Sequence, residues 1–122
     1  MEKTKVVCGF VKHNNKILIT QRGDERNYGK WEFPGGKVKV GEDDFFSIKR
    51  ELIEELNLKV TPIKKRSSYN YKSYNLIFIE CSCSNPTSIK LTEHLNYKWI
   101  QSDQLLNYDF LEGDKKFISE LK

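Results

Sequence analysis

Residues 35–58 read GGKVKVGEDDFFSIKRELIEELNL, and the fold turns on how this stretch is interpreted. Two adjacent glycines and a short loop lead into a helix expected over about Asp43–Leu56. Phe45, Ile48, Leu52 and Leu56 recur at i, i+3, i+7 and i+11 and form the expected core-facing stripe. Asp43 and Asp44 fall where the positive end of the helix dipole favours acids. Another face carries Arg50, Glu51, Glu54 and Glu55. A helix turns about 100° per residue, so the three glutamates lie within roughly 100° of one another. Carboxylates crowded in this way repel. One resolution is a hard divalent ion such as Mg²⁺, which takes oxygen ligands and leaves room for substrate phosphates. The other is a solvated acidic helix face. Arg50, four residues before Glu54, is placed to hold that carboxylate and partly neutralise the cluster. Gly35-Gly36 allow a ligand to approach the backbone closely, but by themselves they support only a tight turn.

Spacing favours the cation. From Gly36, five residues lead to Glu42 and seven more to Arg50-Glu51, followed by Leu52, Glu54-Glu55 and Leu58. This resembles the Nudix box, in which Gly, Glu, Arg-Glu, an aliphatic, Glu-Glu, Gly and an aliphatic recur at these offsets. The one departure is Asn57, where the box has a glycine. That glycine ends the helix in a left-handed conformation, and Asn is the next most tolerant residue there. The preceding Trp31–Pro34 gives WEFPGG, which looks like the MutT-type branch of the family. The resemblance implies an α/β (α+β) Nudix fold, a mixed β-sheet sandwiched between helices. It also implies Mg²⁺ or Mn²⁺ held by the Gly35 carbonyl, Glu51, Glu54 and Glu55. Glu51 is the first choice for the base that takes a proton from water, and Arg50 has a supporting role.

The rest of the chain is read around this centre. Lys5–Val11 and Lys16–Arg22 form a hairpin across an Asn-Asn turn, with His13 at the turn as an exposed residue. Arg22 opens a polar loop, where binding residues concentrate. It matches an arginine that contacts substrate phosphate in MutT-type proteins, and Gly36 borders the same substrate. Lys59–Ile63 begins a strand that Pro62 marks as an edge or irregularity, and Asn75–Ser84 is the clearest buried strand. Glu93, ahead of the strand Tyr97–Gln101, matches a further metal ligand or alternative base of the subfamily. His94 beside it is assigned nothing. Ser102 has N-cap chemistry for a short helix ending near Asn107. Asp114 opens the last helix, where capping is its routine role. By spacing it also matches the residue that reads the base edge in MutT-type enzymes. An ionised Asp only accepts hydrogen bonds, which favours a base presenting N–H donors, such as guanine or cytosine.

With 122 residues the chain makes one domain, 1–122, with no room for a second. No apolar run approaches the length of a membrane span and MEKTKVV lacks a signal-peptide core, so no membrane partner and a cytoplasmic location are expected. Three cysteines are an odd number. Cys81 and Cys83 share one face of a strand without zinc spacing, and all three read as reduced thiols. The net charge of +4 is mild, and clusters at Lys64–Arg66 and Lys115–Lys116 suit a small phosphorylated substrate better than a stable nucleic-acid partner. The expected activity is metal-dependent hydrolysis of a nucleoside triphosphate to (d)NMP and pyrophosphate. An oxidised guanine nucleotide such as 8-oxo-dGTP is the first choice of substrate and CTP or dCTP the second. An RNA 5′ pyrophosphohydrolase and a non-catalytic nucleotide-binding module are the remaining alternatives.

Overall fold

An apolar, β-branched run near the N-terminus pairs back on itself to start the sheet. The computed structural model describes residues 3–121. Strand β1 (Thr4–His13) returns as β2 (Lys16–Gln21) through Asn14 and Asn15, both left-handed at φ 49° and 64°. Asn tolerates this conformation better than most residues. The two strands pair antiparallel at Lys12↔Ile17 and His13↔Lys16 and then fork. The segment WEFPGGK occupies the fork. Its first part, β3 (Trp31–Glu32), pairs with β2, and its last part, β4 (Gly35–Lys37), pairs with β1 at Val6–Cys8. Between them the Pro34 carbonyl accepts the Gly9 N–H at 2.6 Å. Gly35-Gly36 are therefore extended strand, not the tight turn expected. Glycine is needed at 35 because a Cβ would strike the Val7 carbonyl across the ladder.

β5 (Val60–Tyr71) and β6 (Tyr74–Cys83) form a second hairpin, and β6 runs parallel to β1 from Thr4↔Tyr74 to Lys12↔Ser82. β5 is the edge strand, with register shifts between Pro62 and Lys64 and between Lys65 and Ser67. β7 (Asn96–Ile100) pairs with the free side of β2. Among the described residues, seven strands make one mixed sheet.

Alternation along the strands sends successive side chains to opposite faces. Val7, Val11, Leu18, Ile77 and Ile79 meet Ile48, Leu52 and Leu56 of helix α1 (Asp44–Leu56). Cys8, Phe10, Ile17, Ile19 and Phe78 meet Phe117 and Ile118 of helix α2 (Glu112–Glu120). On that second face Phe117 stacks on Phe78 at 4.3 Å between ring centres and meets Phe10 and Phe33 edge-on. The chain thus has the expected architecture, a mixed sheet between helices.

Some local readings change. Phe45 is 39% exposed, and the small Ser47 is buried on the helix face that packs against the sheet. His13 is only half-exposed, because its Nδ1 meets the Cys83 carbonyl at 2.9 Å and its ring lies edge-on to Trp99. Ser102 does not cap the short 3₁₀ helix Ser102–Asn107. Gln101 precedes that helix, and the Gln104 side chain accepts its N–H at 2.9 Å. All three thiols are free and buried, and burial pushes the Cys81 thiol up to about 12. No helix among the described residues is long and apolar enough to cross a membrane.

Candidate active site

Helix α1 presents the acidic face, and its ends fix where that face lies. Asp43 caps the start, its Oδ1 accepting the Phe46 N–H at 2.8 Å. Asn57 ends it at φ 52°, ψ 35°, with its N–H on the Ile53 carbonyl at 3.0 Å and the Leu58 N–H on the Leu52 carbonyl at 3.1 Å, a left-handed helix closure. Between these ends Arg50 is the hub. Its Nη1 donates to Glu51 at 3.0 Å and to Glu54 at 3.1 Å, and its Nε and Nη2 grip the Glu42 carboxylate. Glu42 also accepts from Ser47 Oγ and the Lys39 N–H, which ties the loop before the helix to the same arginine. Held chiefly by Arg50, the Glu42 carboxyl is lowered to about 2. The expected link from Arg50 to Glu54 is present, but Arg50 grips Glu42 more fully.

The glutamates differ in setting. Glu51 lies against β4, and its carboxylate occupies the space a Cβ on Gly36 would need. Glu54 has a half-exposed side chain. Glu55 is half-buried, and its Oε1 is buried with no hydrogen-bond partner among the described residues. Burial first, then the negative charges of Glu32, Glu51 and Glu93, hold the Glu55 carboxyl well above the usual carboxylate range. Glu93 is an exposed loop residue close enough to add to that repulsion. No three His, Cys, Asp or Glu side chains among the described residues are gathered as a ready-made cation cage, with Arg50 drawing on Glu51 and Glu54. A buried carboxylate oxygen without a partner, in the field of three further acids, is the chemistry a hard cation satisfies.

Beside this acidic ridge opens a cavity of about 510 Å³. Arg22, Gly35, Gly36 and Asp114 all line it, so the substrate-binding residues expected from sequence share one space. Glu51, Glu54, Glu55 and Glu93 are not part of its wall. Arg22 follows β2 and is held by Asp24 Oδ1 at 2.7 Å and Glu32 Oε1 at 3.1 Å. Burial opposes its charge, but the two carboxylates win and raise its pKa above the ordinary arginine value. Arg26, Lys30, Lys37 and Lys72 also line the cavity. The clusters singled out in the sequence lie elsewhere: Lys65 pairs with Asp44, Arg66 with Glu80 and Lys115 with Glu112.

Asp114 departs from the capping reading. Helix α2 begins after Leu111 with no side-chain cap, and Asp114 is instead buried, its Oδ2 accepting the Phe33 N–H at 3.0 Å. Burial pushes its carboxyl up to about 8, with Glu32 adding and the Phe33 N–H opposing. At neutral pH this group is mostly the neutral acid, which donates as well as accepts. That corrects the expectation of an acceptor-only carboxylate.

Two residues given no role by sequence join the site. Glu32 lies under Arg22 and faces Glu55, and His94 Nε2 meets Glu32 Oε2 at 2.7 Å. The signal for Glu32 was the strand alternation in WEF: Trp31 and Phe33 both enter the α2-side core, which turns Glu32 the other way.

The chain matches the NUDIX domain family over residues 2–121. It is 35% identical to an 8-oxo-dGTP diphosphatase of Buchnera aphidicola subsp. Schizaphis graminum, over 100% of this chain and 95% of that protein. It is 25% identical to the nucleoside triphosphatase NudI of an Escherichia coli strain, over 95% and 94% of the two chains. Among solved structures, a MutT studied in Aliivibrio salmonicida and Vibrio cholerae superimposes with a TM-score of 0.77 at 29% identity, covering 98% of this chain and 96% of that one. The Escherichia coli ORF135 protein does so with a TM-score of 0.81 at 25% identity, covering 98% and 88%.

Proposed function

Because this chain belongs to the NUDIX domain family and is a Nudix hydrolase, we propose that it cleaves nucleoside triphosphates to (d)NMP and pyrophosphate, with oxidised guanine nucleotides such as 8-oxo-dGTP as the leading substrates. One observation carries this reading: the buried, partnerless Oε1 of Glu55, near Glu32, Glu51 and Glu93, on a ridge beside the cavity lined by Arg22, Glu32 and Asp114. The 8-oxo-dGTP diphosphatase related along the whole chain supports the substrate. The domain acts as one unit over 1–122, in the cytoplasm.

The Gly35 carbonyl, Glu51, Glu54, Glu55 and Glu93 are the groups that would hold a divalent cation, Mg²⁺ first and Mn²⁺ second. When bound, the cation supplies charge neutralisation and alignment along the triphosphate. The protein's own groups do the rest. Arg22 binds phosphate through the nitrogen that Asp24 and Glu32 leave unused. Arg50 keeps Glu51 and Glu54 in place. Water oxygen bonds to one phosphorus of the α–β anhydride, the bridging P–O bond breaks with its electron pair going to the departing phosphate, and (d)NMP and pyrophosphate result. Glu51 takes the water proton, with Glu93 as the alternative base. Asp114, as a neutral acid, presents one donor and one acceptor, a match to the N1–H and O6 of a guanine edge. Cytosine's amino group and ring nitrogen offer the same pair, which keeps CTP and dCTP as the second reading.

The test is a panel of canonical and oxidised (d)NTPs with Mg²⁺, scoring pyrophosphate against phosphate. Pyrophosphate release with 8-oxo-dGTP preferred is expected, and phosphate as the sole product sinks the reading. In the same assay Glu54→Gln should lower kcat by orders of magnitude while circular dichroism and Tm stay near wild type, since Glu54 is half-exposed. Near wild-type turnover would remove Glu54 from the reaction.

A further inference from the structure

The bonds that hold Arg22 lead to a side chain with no role in the reaction described above. Glu32 is 9% exposed, and its carboxylate is divided between two loops. Oε1 accepts from Arg22 Nη1 at 3.1 Å, and Oε2 accepts from His94 Nε2 at 2.7 Å. A carboxylate in this role only accepts, so Nε2 carries the proton. The other imidazole nitrogen, Nδ1, is buried with no hydrogen-bond partner among the described residues. The imidazole is therefore anchored by Glu32 at one end and by nothing polar at the other. The side chain is 7% exposed, which is unusual for a loop histidine in an otherwise exposed run.

The loop carrying His94 is fastened on both sides of it. Thr92 Oγ1 donates to the Glu55 carbonyl at 3.1 Å, and the Leu95 N–H donates to the Gln21 carbonyl at 2.9 Å, one residue before Arg22. Gly23, just after Arg22, is so close to this loop that a Cβ would sit 3.0 Å from the Glu93 carbonyl. Arg22 itself has Nε on Asp24 and Nη1 on Glu32, which leaves Nη2 with no partner among the described residues. A long guanidinium keeps one pose only while its anchors keep theirs, and Glu32 loses its second donor if His94 is removed.

We propose that His94 is a positioning residue: acting through Glu32, it fixes the Arg22 guanidinium on the cavity wall so that its unused nitrogen meets the substrate phosphates. This rests on the phosphate-binding role given to Arg22 above.

The test combines steady-state kinetics, using the best triphosphate of the panel with Mg²⁺, and the ¹H–¹⁵N signal of the Arg22 Nε–H in labelled protein. His94→Ala should raise KM on the order of tenfold, as for loss of one bond to a charged group, with kcat little changed. His94→Gln, whose amide can donate to Glu32, should recover most of that loss. In an Arg22→Ala background, His94→Ala should raise KM no further. The Arg22 Nε–H signal should shift or broaden in His94→Ala and return in His94→Gln, whatever substrate the enzyme takes. An unchanged signal, or an equal rise in KM with and without Arg22, overturns the proposal. A changed signal with wild-type KM in Arg22→Ala removes Arg22 from substrate binding, and with it the reading on which the proposal rests. If His94→Ala does not fold, the Gln variant and Glu32→Gln carry the same measurements.

Discussion

Adjacent glycines that look alike in the sequence do different work at the scale of single residues. A Cβ on Gly36 would run into the Glu51 carboxylate, a movable side chain at the acidic ridge, whereas one on Gly35 would run into the Val7 backbone. Gly36→Ala should therefore fold and lose activity, on the order of 100-fold in kcat for a displaced carboxylate. Gly35→Ala should instead lose stability, on the order of 3 kcal/mol as an overpacked position. Urea denaturation beside kcat measurements separates the two, and matching losses in both variants would contradict the distinction. Much of the acidic ridge was legible because Arg50, Glu51, Glu54 and Glu55 lie within two turns of one helix, where spacing fixes geometry. The Glu32–His94 pair was not legible. Its partners are 62 residues apart and meet only because the sheet brings β3 beside the β6–β7 loop.

At the scale of elements, α1 is bounded by chemistry visible in the sequence, an Asp at one end and an Asn at the other. The left-handed Asn57 makes a clean test of that boundary. Asn57→Ala should cost about 1 kcal/mol, because a Cβ is penalised there without Asn's tolerance. Asn57→Gly should be close to neutral, relieving the backbone but losing the 3.4 Å bond to the Ser88 carbonyl. Thermal unfolding of the three proteins gives the order, and an alanine variant as stable as wild type would contradict it. The stripe of the helix was misread at its first position. Phe45 fits the helical period, yet the small Ser47 is the buried residue of the first turn while Phe45 and Phe46 stay outside. Periodicity names a face but not where along that face the partner begins.

For the molecule as a whole, Asp114 is one of the bonds between layers, joining α2 to Phe33 in the fork of the sheet across 81 residues. That span is why the sequence could place it only by analogy. Its carboxyl rises from the ordinary 3.8 to about 8 on folding, through burial and the nearby Glu32, against the opposing Phe33 N–H and Arg22. The folded state thus binds a proton that the unfolded chain releases. The stability tied to this group is fully present below about pH 4 and is lost as pH rises through about 8. Asp114→Asn cannot ionise, so its stability relative to wild type should rise with pH across that window by a few kcal/mol. Guanidinium titrations at intervals from pH 5 to 8 measure this, and a constant difference between the two proteins would refute it.

The sheet also has a last row, β5, whose outer backbone groups have no strand beside them among the described residues. An open row of that kind invites another chain to add itself and so to grow a fibre. Here the row is broken twice in register, carries Pro62, and bears Lys64, Lys65 and Arg66 in succession. Charge and irregularity of this sort discourage stacking, so the basic run that the sequence analysis matched to a small phosphorylated substrate lies where it guards against self-polymerisation.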